Sequence, residues 1–386
     1  MAVGTGGGLN ASKEACQHYG KRARELQAAG RRIVGYLCAY VPLEIITAAG
    51  LVPFRIKGDA REPINAADAL MENIVCGRVR SCFDLSLKGR YEFLDGLVIP
   101  HACDSIARTY AIWQHTLGLP YSHFLDLPHG TDSSSLTFFK SVLNTFRESL
   151  GRFSGRQISD EALAKATLHY NQNRAAIREL YELRRSEPPL ISGSEVVTTL
   201  VAGASLPVEE STSLVQSVVA EVCQRPPKQA AKKPRTMVVG AEVDGSFIQI
   251  VEAAGANVVA DDLCPGGREN LPLADVTPDP IDGIALRYLR KIDCPRTCSG
   301  SRNNYAEYLR QRFGDIEIRV RDHHVDGVIL YFYRYCDPFG FEVPAMKGYL
   351  DSLGIPVLCL EDEHSMWASA RLTTRIQAFL EMIGSR

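Results

Sequence analysis

Short apolar runs alternate with stretches of helical periodicity in two parts of the chain. The first part has apolar runs at residues 32–38 and 51–56, and the helix-like stretch between them ends in Ala-Ala-Gly at 48–50. The second part repeats this order, with apolar runs at 236–240 and 256–260 around a stretch ending in Ala-Ala-Gly at 253–255. A glycine after the last helical turn accepts the left-handed conformation that ends a helix. The pattern therefore predicts a strand–helix–strand unit of a parallel sheet in each part.

The likeness between the two parts continues downstream. Residues 94–104 and 325–337 both form an apolar run after Asp-Gly, and both end in Cys-Asp, at Cys103-Asp104 and Cys336-Asp337. Further strands are predicted at 121–127 and 355–361. Repetition in the same order indicates an α/β fold with two similar doubly wound parallel-sheet halves.

A helical region separates the two halves. Ser159 followed by two acidic residues predicts a capped helix start, and Pro188-Pro189 predicts an end. We therefore divide the chain as follows: a helical lead at 1–30, a first α/β half at 31–150, a helical region at 151–224, a linker at 225–236 and a second α/β half at 237–386.

Composition narrows the class of protein. The 386 residues carry a formal net charge of −2, which disfavours a nucleic-acid or membrane-surface protein. No apolar run reaches the length of about 18–20 residues that crosses a bilayer, and the first ten residues lack the apolar segment of a signal peptide. We expect a cytoplasmic protein, in which the 11 cysteines stay reduced and need an explanation other than disulfides.

Three of these cysteines are candidates for a soft-metal site. Ligands bind beyond the carboxyl ends of strands in open parallel sheets, where Cys103 and Cys336 are predicted. Cys76 opens a predicted helix, whose dipole stabilises a thiolate. If the halves face each other, the site lies in the cleft between them, and three cysteines leave one position open. Spacing alone also allows ordinary core cysteines. Asp104 and Asp337 are predicted to be helix N-caps or to tune the site through their charge.

The other candidates have weaker patterns. Cys294 and Cys298 lack the third cysteine of a radical S-adenosylmethionine motif, and we favour ordinary loop cysteines. Cys264 follows two aspartates, which should raise its thiol pKa. Cys38, Cys223 and Cys359 are predicted core residues. His101 and His364 lie near predicted strand ends and are candidates for a catalytic or supporting role. The sequence contains neither a Walker-type phosphate loop nor a dinucleotide-binding glycine pattern after the first strand of either half.

Several ordered segments resemble one known family. Residues 35–50, 76–85, 94–104, 260–264 and 335–339 look like the 2-hydroxyacyl-CoA dehydratase / benzoyl-CoA reductase family, in particular its 2-hydroxyglutaryl-CoA dehydratase D-component-like subunits. Residues 170–174, 188–195 and 355–365 also fit, and the resemblance spans 31–382. It implies a [4Fe-4S] cluster on Cys76, Cys103 and Cys336. It also implies a homologous second subunit, a separate ATP-dependent iron–sulfur activator protein and an acyl-CoA substrate.

The resemblance implies three alternative functions. The first is an iron–sulfur subunit of a 2-hydroxyacyl-CoA dehydratase, which eliminates water from the thioester by a one-electron ketyl-radical mechanism. The second is a subunit of a benzoyl-CoA-type reductase, and the third is a non-catalytic electron-relay subunit. Residues 99–104 and Trp113 favour the dehydratases. No motif identifies the acyl-CoA pocket or a catalytic residue.

Overall fold

The first half contains a four-stranded parallel sheet. The computed structural model describes residues 7–226, 232–243, 245–297, 304–363 and 369–385. The strands of this sheet are β1 Ile33–Tyr36, β2 Val52–Arg55, β3 Gly96–Pro100 and β4 Tyr121–Leu125. Their order is β2-β1-β3-β4, and every neighbouring pair is parallel. The apolar runs therefore form the strands that their pattern predicts.

The second half repeats this sheet strand for strand. Its strands are β5 Arg235–Gly240, β6 Asn257–Asp262, β7 Gly327–Tyr333 and β8 Val357–Asp362. They lie in the order β6-β5-β7-β8, again all parallel. The order matches that of the first sheet position by position. This confirms the predicted α/β fold of two similar parallel-sheet halves.

Helices surround both sheets and fill the region between them. Those before β5 are α1 Gly8–Gln17, α2 Lys21–Ala28, α3 Leu43–Ala48, α4 Gly77–Leu87, α5 Asp104–Leu117, α6 Ser133–Ser154, α7 Asp160–Glu182, α8 Gly193–Gly203 and α9 Val208–Cys223. Those after it are α10 Gly245–Ala253, α11 Gly267–Asn270, α12 Pro280–Leu286, α13 Tyr305–Asp322, α14 Asp337–Ser352 and α15 Ser369–Gly384. A 3₁₀ turn at Ala67–Ala69 and a π-helical turn at Arg287–Lys291 complete the described helical elements.

Local sequence explains where the central helices begin. Ser159 accepts a hydrogen bond from the amide of Ala162 at the start of α7, which confirms the predicted cap. Ser192 and Glu195 form a capping box at the start of α8. The helices α7, α8 and α9 share an apolar core with α1. These contacts do not test the predicted boundaries of the five segments, at residues 30, 150, 224 and 236. The boundaries stay a prediction.

One apolar core joins the two halves. It contains Leu97 and Ile99 of the first sheet together with Val238 and Ile329 of the second. Cys76 belongs to this core, and Cys103 and Cys336 pack against it. The three candidate ligands therefore lie where the halves meet. Within the described part of the chain, no helix has the length and apolar character needed to cross a membrane.

Candidate metal centre between the two halves

Each of the three candidate cysteines is the N-cap residue of a helix. Cys76 precedes α4, Cys103 precedes α5 and Cys336 precedes α14. The predicted helix start at Cys76 is confirmed. The predicted capping role of Asp104 and Asp337 is wrong, because these residues occupy the first helical position after the cysteine. An acidic residue there is favourable because it faces the positive end of the helix dipole.

The three thiols lie close together. The Cys336 thiol donates a hydrogen bond toward the Cys76 sulfur, and this interaction lowers the pKa of Cys76 and raises that of Cys336. Burial is the main cause that raises the pKa of Cys103 to about 12, and the neighbouring Cys76 adds to it. The neighbouring Cys103 also contributes to the raised pKa of Cys336. The structure thus brings together one cysteine of the second half and two of the first.

The helix starts direct backbone N–H groups at the same place. The amides of Val79, Ile106 and Phe339 each lower the pKa of the cysteine three residues earlier, although no side-chain cap of ordinary geometry is formed. Free amides and helix dipoles at N-termini favour a bound anion. A cluster held by three thiolates is such an anion, so the helix ends suit it.

The donor atoms of the three cysteines are of the kind that iron–sulfur clusters use. Among the described residues, no group of three or more His, Cys, Asp or Glu side chains surrounds one point closely enough to hold a metal ion. In a cubane each thiolate ligates a different iron atom, so the sulfurs stand further apart than around one ion. Thiolates are also the ligands that iron–sulfur clusters select. That Cys76, Cys103 and Cys336 are the ligands stays a prediction, and their thiolate chemistry agrees with it.

A buried ion-pair network borders the thiols. Glu242 follows β5 and pairs with Arg78 of α4 and, at 2.9 Å, with Arg55 at the end of β2. Arg55 also pairs with Glu269 of α11 at 2.5 Å. All four side chains are at most 13% exposed, so each charge depends on its partners. Sequence patterns did not single out this network, although an arginine in the apolar run 51–56 was a signal.

A cavity of about 460 Å³ opens beside this network. Arg55, Arg78 and Glu242 line it, as does Tyr333, whose carbonyl accepts a hydrogen bond from the amide of Cys336 at 3.0 Å. The lysines Lys13 and Lys57 contribute further positive charge. The cavity therefore lies between residues of both halves, and the carboxylates of Asp59 and Glu242 line it together with the basic side chains.

Comparison with known proteins identifies the family. The model of the family described as 2-hydroxyglutaryl-CoA dehydratase, D-component, matches residues 38–383. The chain belongs to this family. Membership confirms the resemblance on which the expectations for Cys76, Cys103 and Cys336 rest.

The relatives of this chain include subunits of two kinds of enzyme. A subunit of the benzoyl-CoA reductase of Thauera aromatica is 29% identical over 340 residues, covering 85% of this chain and 84% of the relative. The (R)-phenyllactyl-CoA dehydratase beta subunit of Clostridium sporogenes is 24% identical over 362 residues, covering 93% and 94%. The beta subunit of (R)-2-hydroxyglutaryl-CoA dehydratase from Acidaminococcus fermentans is 23% identical over 372 residues, covering 92% and 94%. The chain is thus related to subunits of dehydratases and of a reductase.

The remaining candidate residues have different surroundings. His101 is 39% exposed, and its ring lies 3.5 Å from Asp126. His364 and Cys298 lie outside the described residues. The pKa of Cys264 is raised to about 11, as predicted, but burial rather than the two aspartates is the main cause. The prediction of a core position is wrong for Cys223, which is exposed.

Proposed function

We propose that this protein is the iron–sulfur subunit of a 2-hydroxyacyl-CoA dehydratase, with a [4Fe-4S] cluster on Cys76, Cys103 and Cys336. The observation that carries the proposal is the meeting of these thiols at three helix starts, between the halves of a D-component protein. Bound there, the cluster supplies one electron at low potential. That electron permits elimination of water from the thioester through a ketyl radical of the substrate.

The residues of the chain prepare the site for such an electron transfer. Burial of Cys76 and the apolar core around it keep water away from the ligand, which favours a controlled reduction potential. Arg78 is close enough to Cys76 to lower its thiol pKa, so a positive charge faces the anionic site. Glu242 fixes that arginine from the opposite half.

The cavity beside the network is the proposed place for the acyl-CoA. It has the volume and the mixed polar and apolar lining typical of ligand pockets. The positive charges of Lys13, Lys57 and Arg78 suit the phosphates or the thioester oxygen of such a molecule. Tyr333, three residues before Cys336, forms part of the wall of this cavity.

A reductase of the benzoyl-CoA type is the second candidate. The 29% identity over 340 residues to a subunit of benzoyl-CoA reductase favours it. Both candidates use a CoA thioester and an external electron, so the same site serves either. A homologous second subunit and an ATP-dependent iron–sulfur activator are proposed partners, since the relatives are named as subunits and this sequence has no Walker-type loop.

The cluster assignment is tested by iron and sulfide analysis of anaerobically purified protein. Replacing Cys76, Cys103 or Cys336 by Ala should remove the iron bound at this site, because each thiolate anchors one iron atom. Cys16→Ala and Cys223→Ala are the controls, because neither residue is a candidate ligand: Cys16 belongs to α1 and lines the cavity, and Cys223 is exposed at the end of α9. Equal iron content in both sets of variants would contradict the ligand assignment.

The reaction is tested with a panel of CoA thioesters. The chain, its second subunit, the activator, ATP and a reductant are incubated with 2-hydroxyacyl-CoA and benzoyl-CoA substrates. Formation of an enoyl-CoA supports the dehydratase, and formation of a dienoyl-CoA supports the reductase. Turnover by the purified chain without partner or ATP would contradict the proposed requirement for a second subunit and an ATP-dependent activator.

A further inference from the structure

A small cavity lies where the first sheet, the helical region and the second half meet. Its volume is about 60 Å³. Tyr36 and Arg55, at the ends of β1 and β2, line it together with Arg174 of α7 and, from the second half, Glu269 and Arg287. A single buried water needs about 10–15 Å³ of such space. The cavity therefore has room for a small ion or a few waters, but not for the acyl-CoA proposed for the larger cavity.

Arg287 carries a buried positive charge in the wall of this cavity. The residue is 1% exposed. Its Nε and Nη2 donate hydrogen bonds to the carbonyl oxygens of Pro272 and Glu269, and its guanidinium carbon lies 4.5 Å from the centroid of the Tyr288 ring. Among the described residues, no atom accepts a hydrogen bond from its Nη1 and no carboxylate forms an ion pair with it. The main chain and an aromatic ring, rather than a counter-charge, thus hold this arginine in place.

The other buried charges around the cavity are paired. Arg174 pairs with Glu44 at 2.6 Å, and Arg55 pairs with Glu269. Glu242 pairs with both Arg55 and Arg78. The arginines of this group are Arg55, Arg78, Arg174 and Arg287, and the carboxylates are Glu44, Glu242 and Glu269, each at most 13% exposed. Four positive charges therefore face three negative ones, and the excess charge is that of Arg287.

The unbalanced charge requires a partner that the described residues do not supply. Arginine stays protonated in folded proteins. Burial, and after it the positive charge of Arg174, lower the pKa of Arg287, so the surroundings disfavour its charge. A buried charge is unfavourable unless an opposite charge and hydrogen-bond acceptors compensate it. A water molecule would supply an acceptor but no charge, whereas an anion supplies both.

A second arginine of the cavity wall also has an N–H group without a partner. Nε of Arg55 meets no acceptor in the described part of the chain, although both of its terminal nitrogens bind carboxylates. Arg55 is 2% exposed and lines the same cavity as Arg287. Hydrogen bonds from a guanidinium group to an anion are among the stronger ones in proteins. Two buried guanidinium groups, one from each half, therefore border a space that suits an anion.

We infer that this cavity binds one small monovalent anion, of the size of chloride or formate, between Arg55 and Arg287. The single excess charge sets the stoichiometry, and the volume of about 60 Å³ sets the size. Because the walls come from the first half, the helical region and the second half, the anion stabilises the contact among them. The inference depends neither on the proposed cluster nor on the proposed substrate.

The test measures thermal unfolding of the full chain, purified anaerobically, by circular dichroism at one heating rate. Sodium chloride is varied against sodium gluconate at constant ionic strength, since gluconate is too large for the cavity. One anion bound to the folded state alone should raise the midpoint by equal steps for each tenfold increase in chloride above the dissociation constant. Sodium formate in place of chloride shows whether a halide or a small carboxylate is preferred.

Two variants remove the excess charge in different ways. Arg287→Met deletes it, and Asn173→Asp supplies a carboxylate from another residue of the cavity wall. Both should lose the shift of the midpoint that chloride causes in wild type. Arg178→Met is the control and should keep the full shift, because Arg178 of α7 also donates to a carbonyl oxygen but is exposed. Asn173→Asp leaves Arg287 in place, so it decides the matter if Arg287→Met does not fold.

Crystals of the full chain grown in sodium bromide locate the anion. An anomalous peak should lie in this cavity in wild type and be absent from Asn173→Asp. Equal chloride shifts in wild type and in either folded variant would overturn the inference, as would a cavity that holds only water. A bromide peak without a shift in solution means binding at crystal concentration only, and a shift without a peak places the anion elsewhere. Either of these results also overturns the inference.

Discussion

At the scale of single residues, the charged side chains near the thiols are of two kinds: a buried arginine and two exposed aspartates. Arg78 is 7% exposed and pairs with Glu242, whereas Asp104 and Asp337 are exposed. Water screens an exposed charge far more than a buried one. We therefore expect Arg78 to influence a bound cluster more strongly than either aspartate does, even though the aspartates adjoin the ligands in sequence.

Replacing Arg78 by Gln should lower the reduction potential of the cluster. The substitution removes a positive charge, which makes addition of an electron less favourable, and for one electron each shift of about 59 mV changes the equilibrium tenfold. Glu242 keeps Arg55 as its partner. Redox titration followed by electron paramagnetic resonance measures the shift.

Asp104→Asn is the matched comparison for that titration. It removes a negative charge and should raise the potential, but by less than Arg78→Gln lowers it, because Asp104 is exposed. A larger shift from Asp104→Asn would show that the exposed first-turn charges set the potential.

Sequence identified the thiols of the site but not the charges around them. Cys103 and Cys336 stand at the ends of recognisable apolar runs, and Cys76 begins a helical pattern, so their positions followed from periodicity. Glu242 lies in the connection after β5, and Glu269 lies in the four-residue helix α11, which is too short to show a periodic pattern. Their partners are about 160 to 210 positions away in the chain. Such pairs depend on the packing of the halves, which one sequence does not specify.

At the scale of elements, the duplicated strand pattern was sufficient to predict both sheets. Strand β4 ends at Leu125 rather than 127, and β8 begins at Val357 rather than 355. Strand ends depend on where hydrogen-bonded partners stop, so they are less determined by the pattern than the strands themselves. The capping error at Asp104 has a similar origin, because a cysteine is not among the preferred capping residues.

A histidine of strand β4 should make stability sensitive to acid. His123 packs 4.8 Å from the ring of Phe146, and burial lowers its pKa to about 4. In the unfolded chain histidine titrates near pH 6.5, so the unfolded state binds more protons between about pH 4 and 6.5. Stability therefore falls as the pH is lowered through this window, by at most about 3 kcal/mol.

Replacing His123 by Phe should weaken this dependence. Phenylalanine keeps the ring contact with Phe146 but has no group to protonate. Denaturant unfolding at pH 7 and pH 4.5 should show a smaller loss of stability for His123→Phe than for wild type. His169→Gln is the control, because His169 is paired with Glu209 near the surface. An unchanged pH dependence in His123→Phe would show that other groups cause the acid sensitivity, such as His323, whose pKa burial also lowers to about 4.

At the scale of the whole molecule, a single carboxylate connects three regions. Glu44 of α3 is fully buried. It accepts a hydrogen bond from Arg174 of α7 at 2.6 Å and another from the Tyr288 hydroxyl at 2.9 Å. These residues belong to the first half, the helical region and the second half, where Tyr288 lies on the π-helical turn between β6 and β7. Burial would raise the pKa of Glu44, but the charges of Arg174 and Arg287 outweigh it and lower the pKa. The carboxylate is therefore charged in the folded protein.

Glu44→Gln should strongly destabilise the fold. Glutamine retains the shape but leaves Arg174, at 5% side-chain exposure, without its ionic partner. Breaking one side of a buried ion pair costs about 3–5 kcal/mol. The exposed pair of Glu62 with Arg90 offers the control, because removing one charge of an exposed pair by Glu62→Gln changes stability by about 0–1 kcal/mol. A double variant, Glu44→Gln with Arg174→Gln, removes both charges and should be less destabilised than the sum of its single variants. Equal losses in Glu44→Gln and Glu62→Gln would mean that the three regions are held together by apolar packing, with no net contribution from the buried carboxylate.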